Sequence, residues 1–446
     1  MPLTVGVPAV AAYNKSLDER ETWTPMAVVT PAQTQAVSRR SRLSPYAPAT
    51  GYLALSVAVG GLAGATALAA QLHLLPAGFE ARMAGFHPSA MLLFVGIPAF
   101  LGAFGRLFLT HDLMRGGVKA LPWLDGAALA AMLMALLMFL SGAAHAELSG
   151  MCLWSLGAVL MSASTVAIIC DSRAGAGLIA PRGQERVSGL VPFSLFVWTQ
   201  LCAALGLLLT APVLAAGATR ELLGASGVMP RFEMPATLIV LVAAFGLAAR
   251  VFDTIAPVGQ KLKAMAVAII ATVAIGGPVL WGRMAFVHAN PASVQQAGTI
   301  LAAVAAITFT GIWIRALWRQ TVTLRVALDV PVLWVSGFFV LLAAGWMGSG
   351  VHTAVLNGAV FVLFGGFYAW LNEETKGRYS RIFARVQFGL MFFGVLASES
   401  NTGLGQALGG AAMAISLWVL AFVLLSVLSA GRKAASGHVV MREIRR

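Results

Sequence analysis

The chain has 446 residues, of which 59% are hydrophobic and only 11% charged, with a net charge of +13. Soluble domains carry about a quarter charged residues, so this composition excludes an ordinary soluble enzyme and predicts an all-α polytopic membrane protein. Three cysteines without paired spacing, Cys152, Cys170 and Cys202, exclude a disulfide scaffold and read as small hydrophobes in apolar stretches.

In chain order, residues 1–48 are polar and contain no apolar core long enough for a signal peptide. They are expected to form a flexible basic cytoplasmic extension. Residues 49–430 hold a membrane domain in which twelve runs approach the roughly 20 apolar residues that a helix needs to cross a bilayer. These are 51–75, 83–109, 121–140, 148–170, 189–216, 236–256, 264–281, 294–318, 330–346, 351–371, 382–397 and 403–430. Residues 431–446 form a basic cytoplasmic tail.

Basic residues alternate between the loops. Arg39, Arg40 and Arg42, then Arg115 and Lys119, Arg173, Arg182 and Arg186, Lys261 and Lys263, Arg319 and Arg325, and 376–385 fall on one side. Only Arg82, Arg220, Arg231 and Arg283 fall on the other. This positive-inside bias places both termini in the cytoplasm. The high positive charge then reflects contact with anionic lipids at the inner leaflet, and a nucleic-acid partner is not expected.

Two predicted spans carry a histidine near their outer ends. His87 opens H-P-S-A-M-L-L-F-V-G-I-P-A-F-L-G-A-F-G-R-L, free of charge until Arg106, and His352 opens V-H-T-A-V-L-N-G-A-V-F-V-L-F-G-G-F-Y-A-W. Ionisable groups in spans are costly and mark function; the competing reading is a pair of hydrogen-bonded structural histidines. Arg250 and Asp253, three apart on the sixth run, read as an intramembrane ion pair on one helix face, with a relay role as the alternative. His73, His145 and His288 fall at outer loops or helix ends, and His111 and His438 on the cytoplasmic side. None of these five reads as a site.

The run His87, Met91, Pro98, Gly102, Phe104 and Gly105 closely resembles the second helix of haem-copper oxidase subunit I. P-F-S-L-F-V-W-T-Q followed by Pro212-Val213-Leu214 resembles the fifth, and Thr310-Gly311-Ile312 the eighth. Gly358-Ala359-Val360-Phe361 through Gly366-Phe367-Tyr368-Ala369-Trp370 resembles the tenth, and F-G-L-M-F-F-G-V at 388–395 the eleventh. The resemblance implies the twelve-helix bundle of that family. It also implies that His87 and His352, as metal ligands, offer two axial imidazoles to one low-spin haem of unspecified type.

The same alignment implies losses. The high-spin haem ligand falls on Gly350. The sixth-helix His-Pro-Glu-Val-Tyr, counted back from Pro257, falls on Ala248-Ala249-Arg250-Val251-Phe252, and the seventh-helix His-His pair falls on Arg283-Met284. No copper is therefore expected. The eighth-helix lysine is Trp313, and the loop aspartate after the second helix falls on Gly117 or Val118. The loop before the tenth helix shrinks to M-G-S-G, no arginine lies within 69–71, and the arginine pair that binds haem propionates is absent from S-E-S-N-T-G-L-G. Arg231 or Arg283 is the candidate replacement for propionate binding.

The resemblance thus implies a non-oxidase homologue with no catalytic residues of its own, an electron-transfer or accessory subunit of a respiratory complex in a bacterial-type inner membrane. A periplasmic cytochrome or cupredoxin-like subunit is the expected electron partner. The alternative from another class is a haem-free structural or assembly scaffold with the same fold. A secondary transporter is disfavoured because the halves show no repeat.

Overall fold

The computed structural model describes residues 47–72, 74–113, 122–143, 145–174, 193–224, 232–287, 289–320, 323–347, 350–400 and 402–444. Most of the N-terminal extension, several of the basic loop residues, His73, His288 and Arg231 lie outside them.

The described chain is helical: α1 (Ala47–Gln71), α2 (residues 77–112), α3 (Pro122–Ser141), α4 (Ala146–Ala174), α5 (Leu195–Leu222) and α6 (Glu233–Phe252). These are followed by α7 (Gln260–Val287), α8 (Pro291–Trp318), a single turn at Leu324–Ala327, α9 (Val330–Met347), α10 (Val351–Thr375), α11 (Arg381–Ser398) and α12 (Gly403–Ile444). Eleven of these helices are long and apolar enough to cross a membrane. The ninth, Val330–Met347, is an apolar helix of 18 residues whose described side chains cover the shorter stretch Val330–Gly345. α12 continues to Ile444, well past its apolar stretch Gly403–Val427, so no helix boundary falls at residue 430.

The bundle is organised around two helices. The apolar stretch of α2 is wholly buried and that of α6 is 94% buried, whereas those of α1, α11 and α12 are mostly exposed, as lipid-facing helices must be. α6 packs against α2, α5, α7, α8, α9 and α10, and α12 closes back onto α1. Small residues permit the closest approaches. A Cβ on Gly246 of α6 would fall 1.7 Å from Thr199 Oγ1 on α5, and one on Gly102 of α2 would fall 2.4 Å from the Tyr52 ring on α1. Close packing at small residues is the usual basis of helix association where lipid is as apolar as the side chains.

α2 is a continuous rod whose middle is wound wide. Ala77–Ala90 and Gly105–Asp112 are α-helical, but Met91–Gly96 and Pro98–Phe104 have π geometry. Proline explains part of this. The Ile97 N–H donates to Leu92 O, five residues back, and the next donor in that ladder would be Pro98, which has none. The stranded Leu93 carbonyl accepts from Trp154 Nε1 on α4 at 2.8 Å, and Ser56 on α1 donates to Val95 O at 3.2 Å. Neighbouring helices thus satisfy groups that would be intolerable in lipid.

A buried ion pair fixes the other half of α2. Arg106 donates from Nε and Nη2 to both carboxylate oxygens of Asp125 on α3 at 2.8–3.2 Å, from Nη1 to Thr165 Oγ1 at 2.9 Å, and from Nη2 to Met161 O at 3.0 Å. The two side chains are 4% and 1% exposed, so the pair locks α2, α3 and α4 together in a dry environment.

Candidate functional site

His352 is the second residue of α10, whose N-cap is Gly350 at φ +88°. Its ring is half-buried, and Nδ1 lies 2.6 Å from Thr237 Oγ1 on α6. Thr237 in turn donates its hydroxyl proton to Glu233 O at 2.6 Å. A hydroxyl has one proton to give, so toward His352 it acts as acceptor and Nδ1 carries the hydrogen. His87, also half-buried, places Nδ1 3.2 Å from Ala63 O on α1. A carbonyl only accepts, so this ring too holds its proton on Nδ1. Among the described residues neither Nε2 has a hydrogen-bond partner, and a neutral ring with its proton on Nδ1 keeps its lone pair there. This is the tautomer that metal-bound imidazoles adopt, anchored through the other nitrogen to a carbonyl or hydroxyl.

Ties at the other end of the bundle establish that these rings face the same side. Arg250, in the last turn of α6, lies 3.2 Å through Nε from Asp112 Oδ1 on α2, an ionic contact not aligned as a hydrogen bond. Its Nη2 lies 3.3 Å from Glu373 Oε1 on α10 and 3.2 Å from His111 Nδ1. Its guanidinium stacks 5.1 Å above Phe108, and Ser194 donates to Asp112 Oδ2 at 2.8 Å. α6 therefore meets the start of α10 through Thr237, and the ends of both α2 and α10 through Arg250. The three helices run parallel. His87 and His352 precede Asp112 and Glu373 by 25 and 21 residues, about 30–40 Å of helix, so both lie at the opposite end from Arg250.

The Arg250–Asp253 pair expected from i, i+3 spacing is replaced by this arrangement. α6 ends at Phe252 with Asp253 as its C-cap, and the ion pairs of Arg250 are with Asp112 and Glu373. Arg250 then reaches across to neighbouring helices. His111, Asp112, Ser194, Arg250, Asp253 and Thr254 line a cleft of about 440 Å³. Burial pushes the Asp253 carboxyl up to about 6; Asp112 adds to the rise, while the Val258 N–H, Lys263 and Arg250 oppose it.

The aligned positions of the lost centre can also be placed. Ala248, the expected copper-ligand position, is 11 residues beyond Thr237, about 16 Å further along α6 than the level of His352. The count back from Pro257 thus puts that pattern toward the Arg250 end. Whatever the count, neither Glu233–Phe252 nor Gln260–Val287 contains a histidine. Gly350 sits at a positive φ that a histidine would adopt only under strain. Trp313 fills its site as a buried side chain, 5.0 Å from the Phe252 ring. Among the described residues no group of three or more His, Cys, Asp or Glu could hold a metal ion. An axial pair needs only two ligands, and two imidazoles held through Nδ1 on neighbouring helices have the donor chemistry that would suit iron in a haem. Arg283 is exposed near the end of α7.

Sequence reading did not find the partners of either histidine or of Arg106. A usable signal existed for Arg106: opposite charges in consecutive spans at similar depth, six residues before the end of α2 and three after the start of α3.

Fold and site together define a polytopic helical membrane protein built on a central α2–α6 pair with two anchored imidazoles at one end. No family model matches the chain. It is 26% identical over 244 residues to cytochrome c oxidase subunit 1 of Cereibacter sphaeroides, a match covering 45% of this chain and 42% of that protein. The chain is a distant relative of cytochrome c oxidase subunit 1, matched over less than half the length of that relative.

Proposed function

We propose that the chain carries one low-spin haem between His87 and His352 and serves as a non-oxidase, electron-transferring accessory subunit of a respiratory membrane complex. The observation that carries this reading is the pair itself. Two histidines at the family's ligand positions stand at the same end of parallel helices, each holding its proton on Nδ1 and leaving Nε2 to coordinate. A bis-imidazole haem supplies one-electron transfer and, with both axial positions filled, has no place for oxygen. The protein's part is to present two neutral rings at fixed orientation, through Ala63 O and Thr237 Oγ1, and to pack the rest of α2 and α6 too tightly for a second centre.

The distribution of basic residues supports an inner-membrane location with both termini cytoplasmic, which puts the histidines toward the outer face. A centre near one face exchanges electrons on that side, so a periplasmic cytochrome or cupredoxin-like subunit fits as partner. Arg231 and Arg283 are the available cations for haem propionates. A haem-free assembly scaffold is the second reading, favoured by the exposure of Arg283 and the absence of the arginine pair from S-E-S-N-T-G-L-G.

Reduced-minus-oxidised spectra of the purified protein test the proposal. A low-spin haem signal in the wild type that disappears in both His87→Ala and His352→Ala is expected, with little change on adding carbon monoxide. A wild-type protein that stays colourless after expression with ample haem would sink the reading in favour of the scaffold.

A further inference from the structure

We infer that Thr237 is a positioning residue for the His352 ligand: its hydroxyl fixes the Nδ1–H tautomer and tunes the electron donation of Nε2 to iron. This rests on the haem reading above and deepens it.

The geometry is directional. Thr237 is 5% exposed, and its hydroxyl proton is committed to Glu233 O on the preceding turn of α6. The remaining acceptor capacity of Oγ1 faces His352 Nδ1 at 2.6 Å. A hydroxyl that already donates is the better acceptor, because linked hydrogen bonds polarise one another. The relay therefore draws the Nδ1 proton toward oxygen, gives the ring partial imidazolate character and makes Nε2 the stronger donor. A more basic axial imidazole stabilises ferric over ferrous iron, so the hydroxyl holds the midpoint potential down.

His87 has no such relay, because its Nδ1–H donates to a main-chain carbonyl at the longer distance of 3.2 Å. The two axial ligands are therefore inequivalent, and the one on α10 is the adjustable one. The position also explains why a threonine sits there. At the fifth residue of α6 a hydroxyl can return its proton to the carbonyl four residues back, which a longer polar side chain would not do while facing His352 at this distance.

The test is a redox titration of the haem in full-length protein, followed by its spectrum, in the wild type and in Thr237→Val, Thr237→Ala and Thr237→Ser. At the potential where the wild type is half reduced, Thr237→Val should be reduced about threefold over oxidised, a positive shift of about 30 mV at 59 mV per tenfold. Thr237→Ser should return to the wild-type value, and Thr237→Ala stands in for valine if the latter does not fold. Histidine ¹⁵N spectra of haem-free protein give a second readout: His352 should appear as the single Nδ1–H tautomer in wild type and as a mixture in Thr237→Val. Unchanged potential and tautomer in variants with full haem content would overturn the inference while leaving the haem reading intact. A wild type that binds no haem overturns both, and does so before any threonine variant is made.

Discussion

Replacing Asp125 with alanine should destabilise the protein by about 3–5 kcal/mol, because it strands a charge and not merely because it deletes contacts. Arg106 is 5% exposed and its side chain makes polar contacts to two neighbouring helices, α3 and α4. In Asp125→Ala the three contacts to the carboxylate vanish, while those to Thr165 Oγ1 and Met161 O remain. Two polar partners cannot neutralise a guanidinium in a dry bundle. The burial cost that the carboxylate offset becomes visible in full, and the Tyr52 hydroxyl, bonded to the Asp125 main-chain oxygen at 3.2 Å, offers no replacement charge. Arg106→Met with Asp125→Leu removes both charges and keeps volume, so it should lie within about 1 kcal/mol of wild type. The coupling between the sites is then at least about 2 kcal/mol. Reversible unfolding in mixed micelles of Arg106→Met, Asp125→Leu and the double variant closes a double-mutant cycle that measures the coupling, with Asp125→Ala measured beside it. A cost below about 1 kcal/mol for Asp125→Ala, or an additive cycle, would refute the view that the pair is dry and interdependent.

Gly102→Ala should cost about 1–3 kcal/mol by overpacking, since the new methyl meets three Tyr52 ring atoms at 2.4–2.7 Å and the ring is anchored through its hydroxyl; thermal unfolding in the same micelles reads this directly. For Asp253, the folded carboxyl binds its proton more tightly than the unfolded one, at about 6 against 3.8. Between those values the native state holds more protons, so stability falls as pH rises from about 4 to about 6 and is flat above. Discounted for its partly exposed edge, the loss is on the order of 2 kcal/mol. Asp253→Asn should flatten that part of the pH–stability curve and raise stability at pH 7; an unchanged slope would mean that the carboxyl is solvated.

The span pattern was legible because it depends only on summed apolarity, which lipid enforces on every crossing helix. The helix starts near His352 and Glu233 followed from the same signal. What the sequence concealed depends on who stands opposite. Arg250 and Asp253 share one local spacing, yet α6 ends between them and the arginine pairs with Asp112 and Glu373, 138 residues before it and 123 after it in sequence. The π winding of α2 has one visible cause, Pro98, but its stability comes from Trp154 and Ser56 on other helices. Thr237 was silent for the same reason: nothing local distinguishes it from any threonine returning a bond to its own helix.

The same dependence on register limits any comparison with the oxidase's copper-binding pattern. An aligned position is only as good as its register, and the count from Pro257 puts Ala248 11 residues beyond Thr237, about 16 Å further along α6. Two observations survive any shift of register. No histidine occurs on α6 or α7, and His288, which follows α7, lies outside the described residues. Ahead of α10, Gly350 holds φ +88° immediately before the first helical residue, so a ligand restored there would strain the turn that sets the direction of His352. On the haem reading proposed above, Gly350→His would therefore disturb the direction of His352 and not add a second iron ligand.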